Sequence, residues 1–172
     1  MLVTVGVLLA FELLPAPRAL HSAVVPPLYR HVAAAPRGVT LLELPYGLRD
    51  GTSSVGNFSA RTQFYQTAHG KTIMGGYLSR VSRRRLDELR ADPVRHALAI
   101  LSEHKDLTPA QEAALMRGGP AFIRGARIGF VVIDRGSIPP EFQGLVIKAF
   151  RLQHIETNDA LSLYVPEVAG GA

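Results

Sequence analysis

The chain contains no cysteine, which removes disulfides, thiol nucleophiles and Cys-ligated metals from its repertoire. It also lacks an unbroken apolar run of the about 20 residues that a bilayer-crossing helix needs. The longest such run, residues 2–14, is interrupted by Thr4, Gly6 and Glu12. Six histidines occur without a His-x-x-x-His pair, so no metal site is expected, and no cofactor either. The glycines match neither Gly-x-x-x-x-Gly-Lys-Ser/Thr nor Gly-x-Gly-x-x-Gly. Ser53, Ser54 and Ser79 sit in no Gly-x-Ser-x-Gly elbow, which weighs against a hydrolase of that design. Lysine is scarce: arginine outnumbers it sixteen to three.

What is present suits one domain of ordinary size. The 172 residues are 47% hydrophobic and 19% charged, which is apolar but not a bundle of membrane spans. A net charge of +5 favours anionic partners in general. No recognisable nucleic-acid module accompanies it, so a nucleic-acid partner is not expected.

Residues 1–18 form the first unit. No basic stretch precedes the apolar run, as a secretory signal would require. Two readings remain: a buried first helix, or the end of a transmembrane helix or apolar anchor that begins before Met1. Apolarity all round the helix, rather than on one face, favours the anchor. Pro15 and Pro17 end it, and Arg18 lies where an interfacial anchor would sit.

Residues 19–37 are a linker and a short helix that starts at Pro27. Residues 38–166 form a soluble α/β domain. A buried strand is expected at 39–44, between Gly38 and Pro45, followed by a loop at 46–57. Ser59 is placed to cap a helix at 60–68. A turn at His69-Gly70-Lys71 leads to a short strand at 72–74. Ser82, Asp92-Pro93 and Thr108-Pro109 each start a helix, the last with a capping box through Gln111. That helix is expected to stop at Gly118-Gly119, with a separate turn at 120–127. Residues 128–134 are the clearest strand, and 139–150 are a helix with Phe142, Leu145, Val146 and Ala149 on one face. A hairpin spans 152–165, and 167–172 form a frayed tail. The fold class is therefore α/β: a mostly parallel sheet with covering helices and a C-terminal antiparallel hairpin, preceded by an apolar N-terminal helix.

Several pieces, in order, carry a resemblance: Phe11-Glu12-Leu13-Leu14-Pro15-Ala16-Pro17, Val25-Pro26-Pro27-Leu28-Tyr29, Leu42-Glu43-Leu44-Pro45-Tyr46-Gly47, Tyr65-Gln66-Thr67-Ala68-His69-Gly70-Lys71 and Gly75-Gly76-Tyr77-Leu78-Ser79-Arg80. Together they resemble the C-terminal portion of bacterial polytopic membrane proteins of the GT-C-like glycosyltransferase type. The resemblance implies a non-catalytic extracytoplasmic domain at the cell membrane, following transmembrane helices that would be its main partner. The acidic catalytic residue of such proteins lies in an early extracytoplasmic loop, so no catalytic residue carries over. A lipid-linked sugar or anionic lipid is the further partner it implies. The alternative is a free-standing soluble α/β enzyme or small-molecule-binding protein.

The candidate ligand-binding residues are Arg61, Tyr65, His69, Lys71, Tyr77 and Arg80, in the stretch densest in groups that bind. Arginine and lysine there offer charge-assisted donors to a phosphate, and the aromatics offer a face to a sugar ring. The plain reading is a structural turn and core aromatics. Glu43, Asp50 and Asp134 are acids near strand ends, where open α/β sheets place ligands; such acids also commonly cap the next turn.

Overall fold

A computed structural model of the protein describes residues 23–167. The apolar run at 2–14 and the last residues of the expected tail, 168–172, lie outside the described residues. Among the described residues no helix is long and apolar enough to cross a membrane.

Among the described residues, α1 (Tyr29–Ala34) comes first and leads into β1 (Thr40–Leu44). A small hairpin follows, β2 (Gly47–Arg49) and β3 (Ser54–Gly56), then α2 (Ala60–His69), β4 (Thr72–Ile73) and β5 (Gly76–Tyr77). Three helices come next: α3 (Arg83–Ala91), α4 (Pro93–Ser102) and α5 (Pro109–Gly125). The chain closes with β6 (Ile128–Asp134), α6 (Pro140–Phe150), β7 (Leu152–Asn158) and β8 (Leu161–Pro166).

The main sheet has the order β4-β1-β6-β8-β7. Strands β4, β1 and β6 run parallel, while β8 and β7 join as an antiparallel hairpin. β1 is buried along nearly its whole length, as a parallel strand covered on both faces must be. Its side chains alternate. Leu41 joins Leu28, Tyr29, Val32, Val132 and Leu163 beneath α1, whereas Leu42 and Leu44 join the larger core with Leu98, Leu115, Val146 and Phe150. Glu43 shares the parity of Leu41 and lies opposite Val132 of β6. The strand pattern thus turns a carboxylate toward the α1 side.

The expected loop at 46–57 is instead strand pair β2–β3, which with β5 makes a second sheet of order β3-β2-β5. Three-residue strands give too little alternation to be read from sequence. The expected break at Gly118-Gly119 is also absent: α5 runs through Pro120 to Gly125. Its first turn is fixed by the capping box, Gln111 N–H donating to Thr108 Oγ1 and Thr108 N–H to Gln111 Oε1. Its last turns are held by Phe122 stacking on Phe150 at 5.9 Å. Gly119 serves packing, since a Cβ there would lie 2.3 Å from the Ala149 carbonyl oxygen. Ser59 occupies the N-cap of α2 but its side chain makes no capping bond; Thr62 Oγ1 donates to the Ser59 carbonyl instead, at 2.9 Å.

Candidate functional site

The carboxyl ends of β1 and β6 face a pocket of about 210 Å³. β1 and its exit supply Glu43, Leu44 and Pro45; β6 supplies Val132 and Asp134. Helix α2 contributes Arg61, Thr62 and Tyr65, and the β7–β8 turn, residues 158–161, lies across from it. The location follows from topology: in open α/β sheets, ligands bind beyond the carboxyl ends of parallel strands.

Glu43 is the unusual group here. It is 3% exposed, and the Tyr29 hydroxyl donates to its Oε1 at 2.9 Å. Its Oε2 is buried with no hydrogen-bond partner among the described residues. Burial pushes the carboxyl up to about 7, with the hydroxyls of Tyr29 and Thr62 working in the opposite direction. The Thr62 hydroxyl, which donates to the Ser59 carbonyl at 2.9 Å, also lies near enough to Glu43 to favour its charged form. Tyr29 is raised in turn, first by its own burial and then by the charge of Glu43. A carboxyl poised near neutrality offers an acceptor in one state and an O–H donor in the other.

Asp134 ends β6 and lines the same pocket, but both of its oxygens are occupied. Oδ1 accepts from Gly136 N–H at 3.0 Å and Oδ2 from Ser137 Oγ at 2.8 Å. It therefore stabilises the turn after β6 while presenting negative charge to the pocket. Asp50 does not reach this site. It accepts from the N–H groups of Thr52, Ser53 and Val81 at 2.7, 2.6 and 2.7 Å and from the Thr52 hydroxyl at 3.0 Å. These bonds, Val81 first, hold its carboxyl down at about 2.

The six candidates from the Arg61–Arg80 stretch occupy different surroundings. Arg61 and Tyr65 line the strand-end pocket. His69 and Lys71 lie at the other end of α2 and are buried. The His69 ring stacks on Tyr29 at 5.5 Å and 12°, and its Nδ1 accepts from Lys71 N–H at 3.1 Å. An accepting Nδ1 places the neutral ring's proton on Nε2, a buried atom without a partner among the described residues. Burial and the charge of Lys71 both keep the ring's pKa below its ordinary value. Lys71 Nζ donates to the Ala35 carbonyl, tying β4 to the end of α1. Tyr77 and Arg80 are exposed, and Tyr77 is anchored through its backbone, which exchanges two bonds with the Gln63 amide.

Tyr29 is the residue that reading the sequence overlooked. It lies outside the dense stretch, and only the fold brings its hydroxyl to Glu43 and its ring between Tyr65, at 4.9 Å, and His69. Among the described residues, no group of three or more His, Asp or Glu side chains is arranged to hold a metal ion. Set against protein-family models, curated proteins and solved structures, the chain matches none of them.

Proposed function

We propose that this chain is a ligand-recognition domain whose strand-end pocket holds one small, hydroxyl-bearing molecule of single-sugar size. The observation that carries the proposal is Glu43 Oε2, a buried oxygen at a pocket wall without a hydrogen-bond partner among the described residues. Buried polar atoms are almost always bonded, and a ligand hydroxyl would supply a partner for this one. The neighbours suit such a ligand: Tyr29 and Tyr65 give aromatic surface, Asp134 an acceptor and Arg61 donors at the rim. About 210 Å³ is below the roughly 300–1,000 Å³ of pockets for drug-sized ligands, which restricts the guest to about one ring.

The resemblance to GT-C-like membrane proteins gives this binding a place. In that reading the domain is non-catalytic and extracytoplasmic at the cell membrane. It presents a sugar, or the sugar of a lipid-linked donor, to transmembrane helices of a parent protein. A second reading, a free-standing α/β enzyme, draws support from the position of Glu43 near neutrality beside Asp134, since acid–base catalysts operate best near their own pKa.

Calorimetric titration of the chain with neutral monosaccharides tests the first reading. Binding should weaken about tenfold or more in Glu43→Ala and Tyr65→Ala, a loss of about 1.4 kcal/mol. Absence of binding by every sugar at tens of millimolar, or unchanged binding in both variants, contradicts it. Multiple-turnover hydrolysis of an aryl glycoside, abolished by Glu43→Gln, would favour the second.

A further inference from the structure

Helix α2 separates two clefts. Arg61, Thr62 and Tyr65 face the strand-end pocket, while Gln63 and Gln66 face a larger one of about 580 Å³, bounded by residues 73–75 and by α3 and α4. Its α2 wall is stiff. Gln63 is bonded to the Tyr77 backbone, and Gln66 Nε2 donates to the Lys71 carbonyl at 2.9 Å.

Two arginines line this second cleft. Arg95 lies over the Phe122 ring at 6.0 Å. Its Nε is buried without a hydrogen-bond partner among the described residues, and it forms a long ion pair with Asp92 Oδ2 at 3.6 Å. Asp92 uses its other oxygen to cap α4, accepting from the N–H groups of Val94 and Arg95 at 3.0 Å each. Arg85 makes no ion pair among the described residues. The acid lining the cleft, Glu88, is bound to Arg84 Nε at 2.8 Å. The buried Tyr46 hydroxyl lies within the fields of Arg95, Asp92 and Arg85. The first turn of α3 carries Arg83, Arg84 and Arg85 and no acid, a placement that the helix dipole disfavours and a bound anion would relieve.

We propose that this cleft binds the phosphoryl group of a small phosphorylated molecule, with Arg95 and Arg85 as its charged donors. Guanidinium forks match phosphate geometry with paired bonds. The volume falls within the range of sites for whole small molecules, which leaves room for an organic group beside the phosphate. This site is separate from the strand-end pocket and does not rest on the reading given for it.

The test titrates the full chain with glucose 1-phosphate, inorganic phosphate and glucose. Sodium acetate and sodium chloride at matched ionic strength serve as controls, and backbone amide shifts are followed by NMR. Glucose 1-phosphate should shift the amides of Met74, Gly75, Arg85 and Arg95, and acetate and chloride should not. Arg85→Ala, a change on an exposed side chain that leaves the core intact, and Arg95→Gln should each weaken the phosphate ester about tenfold or more. Arg95→Lys should fall between Arg95→Gln and the parent, because charge is kept and the fork is lost. Three outcomes overturn the proposal: equal shifts with chloride, phosphate shifts that map elsewhere, or binding unchanged in Arg85→Ala. Glucose binding at the strand-end pocket should be indifferent to Arg85→Ala, so the two sites stand or fall separately.

Discussion

The Tyr29 hydroxyl donates to Glu43 Oε1 at 2.9 Å, joining α1 to the carboxyl-end half of β1 across a buried interface. One bond therefore links the packing of α1 to the ionisation of the carboxyl at the pocket wall.

The pH dependence of stability should carry the mark of Glu43. Its pKa is raised from 4.5 to about 7 by folding, so the native state holds a proton that the unfolded chain has released. Stability from this group is present below about pH 4.5 and is lost as pH rises through about 7. The loss is on the order of 3 kcal/mol, at 1.36 kcal/mol per unit. Urea unfolding of the parent and of Glu43→Gln across pH 4 to 8 checks this: the difference between them should shift in favour of Gln as pH rises.

Tyr29→Phe keeps the ring that stacks on His69 and removes the hydroxyl that donates to Glu43 Oε1. The carboxyl is then buried with less support, and destabilisation of about 1–3 kcal/mol is expected. Carbon-13 NMR titration of Glu43 should show its pKa rising further. A pKa that falls would contradict the assigned role.

Lys71→Met keeps most of the buried stem and loses the bond to the Ala35 carbonyl. Leaving that carbonyl unbonded should cost about 1–3 kcal/mol. Faster amide exchange in α1 and β4, with the β7–β8 hairpin unaffected, is the expected pattern.

Asp50 pulls the other way from Glu43. Its folded pKa of about 2 lies below the 3.8 of a free aspartate, so its contribution is full above about pH 4 and is lost as pH falls toward about 2. Asp50→Asn should lower the melting temperature at pH 7 and flatten the acid limb between those values. It should leave sugar binding at the strand-end pocket unchanged, since Asp50 serves the β2–β3 turn and Val81.

Much of the fold was legible where local chemistry and tertiary packing agree. Thr108 and Gln111 announce their capping box, Asp92-Pro93 starts α4, and the unbroken apolar run of β6 declares a buried strand. The failures are equally physical. β2 and β3 are too short for a period to register, and Pro120 is tolerated because packing against Phe150 holds both sides of it. The site divides in the same way. Arg61, Tyr65, Glu43 and Asp134 were each legible singly from residue type and position. Their convergence depends on a parallel pairing between residues about ninety apart in sequence, which no local pattern encodes. His69 and Lys71 belong to residue types that bind anions, and in the fold they also bond to the protein's own backbone.

The central claim is that Glu43 Oε2 awaits a ligand hydroxyl. Crystals of the chain grown with a saturating monosaccharide test it most directly. The account predicts a sugar at the ends of β1 and β6 with a hydroxyl within about 3 Å of that oxygen. A pocket left without sugar under saturation, or a sugar bound elsewhere while Oε2 stays unbonded, would contradict it.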